Sequence, residues 1–348
     1  MIRWFASLLC CVSLAQLSLV QADEIDNWFN RMQLALDTQN FQGTLVIRQL
    51  DQLHAMRVVH GHGEPGHSEP GKGSWDTLET MNGEHRRVIR RGAQVITLFP
   101  DKNTATRIQD NALKTFPLHP RITQNMAQLK QLYHVKLAGR DRVAGWPAQI
   151  IEMLPKDPYR YGFRLWLARD NGLLLRSDLL GEHGQVVEQV MYTQLSIMKQ
   201  VPPPGVPDLN TWQVSDLTVA SVSAVTAESV AWEIRQLPPG FRLIQTTRLP
   251  VHNAAANAAE DGQIESVQHY IFSDGMTSVS VFVEPRQTDN SSLIGVSRMG
   301  AVNAFGQAVN DHHVTVIGEV PLVTVRQIAQ SIVQTPALDK PEAEVPND

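Results

Sequence analysis

Arginine side chains give the first half of the chain its clearest capacity for chemistry. They fall in three groups on separate predicted strands: Arg86, Arg87, Arg90 and Arg91, then Arg140 and Arg142, then Arg160 and Arg164. A guanidinium matches phosphate and carboxylate oxygens bidentately, so neighbouring strands of this kind would hold an anionic lipid head group or an acidic peptide. The candidates for this role are Arg86, Arg87, Arg90 and Arg164. For any single arginine, a solvent-facing charge paired with Asp or Glu is the favoured interpretation.

Three glycine-containing segments match nucleotide-binding or hydrolase motifs only in part. Residues 61–66 have G-x-G-x-x-G spacing, but Pro65 and the following Gly/Pro-rich residues prevent the helix that must face a pyrophosphate. Gly73 stands where a P-loop needs Ser or Thr to hold magnesium. Residues 295–300 miss the spacing of a nucleophile elbow by one position. The sequence therefore predicts neither a nucleotide site nor a serine hydrolase.

The candidate metal ligands lie in and next to one loop: His60, His62, Glu64, His67 and Glu69. A metal site needs ligands held at fixed geometry, and the Gly/Pro content of this loop favours a solvated segment instead. No H-E-x-x-H motif, nucleophile–base pair or closely spaced carboxylate pair occurs elsewhere. We expect no metal, no cofactor and no enzymatic activity.

The first 22 residues have the pattern of a cleavable secretory signal. Arg3 precedes an apolar run over residues 4–20, and Ala22 ends a small-x-small cleavage sequence. Cys10 and Cys11 both lie inside this segment, so the mature chain would contain no cysteine. No later stretch is apolar enough to span a bilayer. We expect an exported, soluble periplasmic protein, and its net charge of −5 argues against nucleic acid as a partner.

Composition shifts divide the chain into five segments: a signal peptide (residues 1–22), a first domain (23–201), a Pro-rich linker (202–228), a second domain (229–335) and a disordered tail (336–348). The linker begins with four prolines in six residues, which cannot lie inside a helix or a sheet. The tail combines proline with acidic residues. A chain of this length with 43% hydrophobic residues is sufficient for two folded cores.

The first domain is predicted to be a long antiparallel sheet with two helices. Residues 159–195 alternate apolar and polar positions and are interrupted by an Asn-Gly turn and a Gly-x-x-Gly turn, which is the pattern of three consecutive strands. Further strands are predicted within residues 41–99 and 135–154. The helices are predicted near residues 25–36, with an apolar stripe of Ile25, Phe29, Met32, Leu34 and Leu36, and over 118–132. Helices on one face of such a sheet leave a hollow between the layers.

The second domain is predicted to be a smaller α+β unit. Residues 267–284 form a hairpin around Ser273, Asp274 and Gly275, and residues 301–305 and 313–318 are further strands. A closing helix carries one apolar stripe formed by Leu322, Val325, Ile328, Ala329 and Ile332. The fold class is therefore α+β in both domains.

Several segments, taken in order, resemble the RseB/MucB family of periplasmic regulators of the envelope-stress sigma factor. They are residues 41–46, 78–90, 161–180, 237–241, 269–276 and 316–321, together with Trp232. The resemblance spans nearly the whole mature chain. It implies a first domain similar to the lipoprotein carriers LolA and LolB, an open half-barrel covered by helices, and a smaller second domain beyond a linker. The insertion between Val59 and Trp75 departs from the family pattern at the rim of the hollow.

The resemblance also implies a function. The chain would bind the periplasmic domain of a RseA/MucA-like anti-sigma factor, shield it from proteolysis, and release it when lipopolysaccharide or lipoprotein acyl chains occupy the hollow. The second domain and the linker would contact the partner, and a homo-oligomer is compatible with the sequence. The residues expected to contact acyl chains are Leu45, Ile47, Phe163, Leu165 and Leu167. A lipoprotein or lipid carrier of the LolA type is the alternative, although it would not need the second domain.

Overall fold

The structure, a computed structural model, describes residues 23–62, 74–92, 94–109, 126–218, 232–250, 266–286 and 294–334. The chain divides into two compact units, Met1–Ala220 and Ser221–Asp348. Each unit has its own sheet and its own hydrophobic core. The predicted signal peptide and acidic tail lie outside the described residues. Within the described ranges, no helix is long and apolar enough to cross a membrane.

The described part of the first unit contains helices α1 (residues 23–38) and α2 (Met126–Leu132) and a short 3-10 turn, Pro100–Lys102. Its strands are β1 (Asn40–Gln49), β2 (Gln52–His62), β3 (Ser74–Thr80), β4 (Arg87–Arg91), β5 (Gln94–Phe99), β6 (Thr104–Gln109), β7 (Tyr133–Val143), β8 (Trp146–Pro155), β9 (Gly162–Ala168), β10 (Leu174–Leu180), β11 (Val186–Met198) and β12 (Gln213–Thr218).

These strands form one twelve-stranded sheet in the order β12-β6-β5-β4-β3-β2-β1-β11-β10-β9-β8-β7. Every neighbouring pair is antiparallel except β12 and β6, which are parallel. Among the described strands, the two ends of the sheet, β12 and β7, do not pair with each other, so the sheet is open. This arrangement confirms the predicted α+β class, with one large antiparallel sheet in the first unit.

The predicted meander over residues 159–195 is confirmed as β9, β10 and β11. Gly172, in the turn between β9 and β10, has φ +83°, a left-handed conformation that favours glycine. A Cβ atom on Gly172 would lie 2.7 Å from the carbonyl carbon of Arg31 in α1. The glycine therefore lets α1 approach this turn closely.

The buried stripe of α1 differs from the predicted one. The structure buries Ile25, Trp28, Phe29, Met32 and Ala35. Leu34, which was predicted to belong to the stripe, is 59% exposed. The reason is geometric, because a residue two positions after Met32 lies on nearly the opposite side of a helix. The helix therefore exposes Leu34 and buries Trp28 and Ala35 instead.

The predicted linker over residues 202–228 is wrong in its first part. Asn103 donates a hydrogen bond to the carbonyl of Thr211 at 2.7 Å, and β12 follows as an edge strand of the first sheet. Apolar side chains of this segment cover the buried residues of β4, β5 and β6: Val206, Leu209, Trp212 and Val214 pack on Ile89, Ile96, Leu98 and Ala105. Proline removes a backbone donor but does not prevent side chains from packing. The first unit therefore continues past the prolines.

The described part of the second unit contains a six-stranded antiparallel sheet, a two-stranded sheet and one helix. Its elements are β13 (Trp232–Ile234), β14 (Arg242–Pro250), β15 (Ser266–Ser273), β16 (Ser278–Pro285), β17 (Gly295–Met299), β18 (Val302–Val309), β19 (His312–Gly318), α3 (Leu322–Ser331) and β20 (Ile332–Gln334). The larger sheet has the order β14-β15-β16-β19-β18-β17, and β13 pairs with β20. Val325, Ile328 and Ala329 of α3 are fully buried in the core, which confirms the predicted small α+β unit.

Candidate functional site

The candidate site is the face of the first sheet that lies beneath α1. Ala35 of α1 belongs to the same buried cluster as Phe41 and Leu45 of β1. Two polar contacts also hold the part of the helix that precedes Ala35. Asp26 pairs with Lys130 of α2 at 2.6 Å, and Arg31 donates to the carbonyl of Arg169, in the β9–β10 turn, at 2.6 Å. The helix is thus fixed to α2, to the turn and to β1, and it covers one face of the sheet.

A row of buried ionic side chains crosses this face. His60 of β2 lies directly opposite Asp76 of β3, and Asp76 lies directly opposite Arg90 of β4. The Nδ1 atom of His60 is 2.5 Å from Oδ1 of Asp76, and the Arg90 guanidinium forms an ion pair with the same carboxylate. All three residues are at most 8% exposed. A buried carboxylate is therefore flanked by an imidazole and a guanidinium.

The histidine of this row also holds the end of α1. Its Nε2 atom is 2.9 Å from the carbonyl oxygen of Leu36, and its ring stacks on Phe41 with 4.9 Å between centroids. The last turn of α1 is thereby connected through His60 to Asp76 and Arg90.

Tyr192 of β11 lies beside this row. Its ring packs edge-on against Phe41 with 6.2 Å between centroids. Burial, and to a lesser extent the negative charge of Asp76, raise the pKa of the Tyr192 hydroxyl above its ordinary value, so the group stays protonated. The hydroxyl oxygen is buried and has no hydrogen-bond partner in the described part of the chain. The covered face therefore presents a buried hydroxyl together with three ionic groups.

His62 lies two positions after His60 on β2, and its ring and its pKa are both affected by His60. Its ring packs edge-on against His60 with 5.5 Å between centroids. Burial, followed by the neighbouring His60, lowers the pKa of His62 from its ordinary value. His62 is thus favoured in its neutral form.

The five residues predicted to contact acyl chains lie on one face of the sheet. Ile47 of β1 is opposite Val190 of β11, Val190 is opposite Ser177 of β10, and Ser177 is opposite Leu165 of β9. Directly opposed residues share a face, and so do residues two apart on one strand. Leu45 therefore shares the face of Ile47, and Phe163 and Leu167 share the face of Leu165. Leu45 belongs to the same buried cluster as Ala35 of α1, so α1 covers the β1 part of this face.

The structure does not bring the four candidate arginines together. Five strands separate β4, which carries Arg87 and Arg90, from β9, which carries Arg164. Arg87 and Arg90 also point to opposite faces of β4 because three positions separate them. Arg90 is buried against Asp76, whereas Arg86 is exposed and Arg87 is half-buried opposite Glu79. The expected patch spanning several strands is therefore not formed by these residues.

Arg164 takes part in a separate ionic cluster. It pairs with Glu152 of β8 at 2.6 Å, and Lys136 of β7 contacts the other oxygen of the same carboxylate at 2.8 Å. Hydrogen bonds from Lys136 and then from Arg164 lower the pKa of Glu152 below its ordinary value. The carboxylate is consequently ionised at neutral pH and neutralises both cations, which leaves Arg164 less available to an external anion.

The candidate metal ligands divide between described and undescribed residues. Glu64, His67 and Glu69 lie outside the described residues. His60 is engaged by Asp76 and by Leu36. Among the residues that the structure describes, no group of three His, Cys, Asp or Glu side chains is placed to hold a metal ion.

Sequence reasoning missed Asp76 and Tyr192, and it proposed Arg90 as a ligand for an external anion rather than as the partner of Asp76. Asp76 lies in β3, whose sequence Ser74–Thr80 is mostly polar, so its composition does not mark this carboxylate as buried. The ionic row becomes visible only when the register of β2, β3 and β4 is known.

Comparison with known proteins gives matches over both units. The family models described as MucB/RseB N-terminal domain and MucB/RseB C-terminal domain match residues 24–210 and 226–333. The chain is 31% identical to the sigma factor AlgU regulatory protein MucB of Pseudomonas aeruginosa, over 95% of this chain and 97% of that protein. It is 26% identical to the sigma-E factor regulatory protein RseB of Haemophilus influenzae, over 92% of this chain and 95% of that protein.

A solved structure extends this similarity to three dimensions. The complex structure of Pseudomonas aeruginosa MucA/MucB aligns with a TM-score of 0.66 and 27% identity, over 90% of this chain and 100% of that chain. A crystal structure of MucB in complex with MucA(peri) aligns with a TM-score of 0.63. The similarity therefore covers both sheets, including the unit that a simple lipid carrier would not need.

Proposed function

Since the chain belongs to the MucB/RseB family of sigma-factor regulatory proteins, we propose that it binds the periplasmic part of a membrane-embedded anti-sigma factor. The observation that carries this proposal is the extent of the match. Both units correspond to MucB, and a related MucB structure is a complex with MucA. In this role the chain acts in the periplasm, without catalysis, and protects its partner from regulated proteolysis. The second unit and the residues before it supply the partner contacts.

The proposed releasing ligand is an acyl chain of lipopolysaccharide or of a lipoprotein. Leu45, Ile47, Phe163, Leu165 and Leu167 share one face of the sheet, and such an apolar face gains about 0.8 kcal/mol per buried CH₂ group from an acyl chain. Leu45, Leu165 and Leu167 are already fully buried. Entry of a chain therefore requires α1 to move away from the sheet. The contacts that hold α1 oppose this movement.

The anionic head group is proposed to meet Arg86 and Arg87. Arg86 is exposed, and the Nε atom of Arg87 is buried without a hydrogen-bond partner in the described residues. Arg90 and Arg164 are the weaker members of the original set because each already neutralises a carboxylate. A guanidinium with an unused donor gains more from a phosphate oxygen than one that must first leave its partner.

Release follows if the lipid binds the partner-free form more tightly than the partner-bound form. Only a difference in affinity between two states can shift their populations, and the effect is reciprocal, so the anti-sigma factor must weaken lipid binding by the same factor. A lipid carrier of the LolA type is the second candidate function. It is supported by the covered apolar face of the first unit, but it assigns no role to the second unit.

A calorimetric titration tests the proposal. The mature chain, residues 23–348, is titrated with the purified periplasmic polypeptide of a RseA/MucA-like anti-sigma factor from the same organism, with and without lipopolysaccharide. We expect binding that lipopolysaccharide weakens at least tenfold. Binding that is unaffected by the lipid would contradict the release step, and no binding in either condition would contradict the regulator function. Lipid binding without partner binding would favour the carrier.

Two adjacent residues on opposite faces of β1 give a matched pair of variants. Ile47 lies on the helix-covered face and Val46 on the other face, and both are half-buried. We expect Ile47→Gln to reduce the response to lipopolysaccharide while partner binding is retained, because an unpaired amide disfavours an acyl chain. Val46→Gln should leave the response unchanged. Equal responses in the two variants would show that the covered face does not contact the lipid.

A further inference from the structure

A small cavity lies within the second unit, whereas the proposed acyl site belongs to the first. Its volume is about 180 Å³, and it lies between the two-stranded sheet and the β14–β15 end of the larger sheet. Its principal walls are Trp232 and Ile234 of β13, Ile332 of β20, Leu243 of β14, and Tyr270 and Phe272 of β15. Two separate sheets therefore form this cavity.

The walls of the cavity are aromatic and aliphatic. Trp232, Tyr270, Phe272 and Ile332 are each at most 5% exposed, so they are held in place by the core. The Tyr270 hydroxyl donates a hydrogen bond to Gln268 at 2.5 Å, which satisfies its polar end on its own strand. An apolar cavity whose polar neighbours are already satisfied holds water poorly and favours an apolar occupant.

The volume restricts the size of that occupant. An engineered apolar cavity of about 150 Å³ takes up a single benzene molecule, whereas sites for drug-sized ligands measure about 300–1,000 Å³. The cavity in the second unit is close to the first value. It therefore accepts one aromatic ring or one branched aliphatic side chain, and it is too small for the several acyl chains of a lipid.

The surroundings of the cavity indicate the charge of the molecule that carries the side chain. Arg235 follows the wall residue Ile234, and Arg242 precedes the wall residue Leu243. Both arginines are exposed, and neither forms an ion pair among the residues that the structure describes. Glu233 also borders the cavity and offsets one of these charges. The remaining positive charge is complementary to an acidic segment.

The adjoining strand provides a backbone surface for an extended polypeptide. In the described part of the second unit, β14 pairs with β15 on one side only. An edge strand of this kind binds an extended segment through main-chain hydrogen bonds, while side-chain pockets supply specificity. Leu243 belongs to both features because it lies on β14 and lines the cavity.

We infer that this cavity is an anchor site for one aromatic or branched aliphatic side chain of an acidic, extended polypeptide that lies along β14. The inference rests on the proposed function in one respect, since the polypeptide is taken to be the periplasmic segment of the anti-sigma factor. It adds to that function a defined contact on the second unit. Buried apolar anchors in preformed pockets dominate many protein interfaces, and the flanking charges mainly set specificity.

The cavity itself is tested with small probes on the mature chain. The probes are 3-phenylpropionate, which combines a ring with a carboxylate, and phenethylamine, which combines a ring with a cation. Binding is followed through the indole NMR signal of Trp232, assigned with Trp232→Phe. We expect 3-phenylpropionate to shift this signal at concentrations on the order of millimolar, given the small number of atoms that bind. Phenethylamine should shift it less. No shift with either probe would overturn the anchor site.

The anchor role is tested with variants that fill the cavity from opposite walls. Leu243→Trp fills it from β14 and Ile234→Phe fills it from β13. Ile244→Trp is the matched control, since Ile244 neighbours Leu243, is 47% exposed and does not line the cavity. Each filling variant should abolish the shift caused by 3-phenylpropionate and weaken binding of the anti-sigma segment about tenfold or more. Thermal unfolding of each variant identifies any that fail to fold.

The small-probe experiment and the cavity-filling variants together distinguish failure of the anchor-site inference from failure of the proposed function. If the unsubstituted chain binds the anti-sigma segment and both filling variants bind it equally well, the anchor role is wrong and the proposed function stands. If the unsubstituted chain does not bind the segment, both the proposed function and the assigned partner are wrong. The response to 3-phenylpropionate then reports on the cavity alone.

Discussion

The two units use the same layout, an antiparallel sheet with a helix on one face, but they differ in what lies under the helix. Beneath α1 in the first unit, a buried carboxylate is paired with a histidine and an arginine, and the histidine binds the end of the helix. Beneath α3 in the second unit, Val314 and Val316 of β19 pack with Val325 and Ile328 of the helix. The cover of the first unit combines a buried apolar stripe with an ionic row, whereas that of the second is held by apolar packing.

This difference predicts how the packing of each helix responds when a side chain beneath it is changed. Removing one partner of a buried ion pair leaves an uncompensated charge. The position of α1 on the sheet therefore depends on each of His60, Asp76 and Arg90. Removing atoms under α3 leaves a cavity whose cost grows with its volume. Competition for the polar contacts would weaken the hold on α1, which its apolar stripe then has to retain alone, whereas α3 has no such buried ionic contact to lose among the described residues. The first unit is therefore the better candidate for a conformational response.

The largest expected effect is that of Asp76→Asn, which removes the charge between His60 and Arg90. The buried guanidinium of Arg90 would remain without its carboxylate, so we expect the free energy of unfolding of the first unit to fall by about 3–5 kcal/mol. Urea unfolding measured by tryptophan fluorescence tests this. The signal reports mainly on the first unit because the second contains one tryptophan, Trp232. Asp101→Asn, at a side chain 71% exposed, is the control and should change stability by less than about 0.5 kcal/mol.

An Asp76→Asn effect as small as that of the control would show that the ionic row does not hold the helix. The proposed contrast between the two covers would then be lost.

The corresponding change in the second unit is Ile328→Ala, at a fully buried position of α3. Deleting these methyl and methylene groups should lower the free energy of unfolding of that unit by about 2–5 kcal/mol through lost transfer energy and a new cavity. The indole NMR signal of Trp232, which is resolved from those of the first unit, follows this transition. Val323→Ala, on the same helix but 39% exposed, should have a much smaller effect. Similar losses in the two variants would contradict the description of α3 as a packed cover.

The smallest effect concerns the contact between α1 and the β9–β10 turn. Gly172 and Gly184 both have positive φ, +83° and +76°, so alanine at either position costs about 1–2 kcal/mol in backbone strain. At Gly172 the new Cβ would also meet the backbone of Arg31, whereas nothing lies within 4 Å at Gly184. We expect Gly172→Ala to destabilise the protein more than Gly184→Ala in thermal unfolding. Equal losses would show that the turn does not position α1.

Much of the fold could be predicted because its signals are local. Strands β9 to β11 were found from alternation and turn residues, and α3 was found from its apolar stripe. The sequence was misleading where two local rules competed. The prolines after residue 201 indicated a linker, whereas Val206, Leu209 and Trp212 pack on the first sheet. In α1, Leu34 was placed on the wrong side because apolar residues outnumber the positions that one helical face provides.

The candidate site was less predictable than the fold. The five apolar residues were grouped by strand alternation, because residues two apart on a strand share a face. That the two groups share one face depended on the pairing of β1, β11, β10 and β9, which the chain brings together from distant segments, and their contact with an acyl chain stays a prediction. The arginines were grouped by nearness in sequence, and the strand order then separated them.

The sequence alone determined the two-unit α+β organisation, the meander over residues 159–195 and the resemblance to a family of regulators, because periodicity, turn chemistry and ordered motifs are properties of a linear chain. Only the tertiary structure decided which face of the sheet α1 covers and that Leu36, His60, Asp76 and Arg90 form one connected row. The physical reason is register. Alternation defines two faces of a strand without naming the inner one, and a shift of one residue would exchange them.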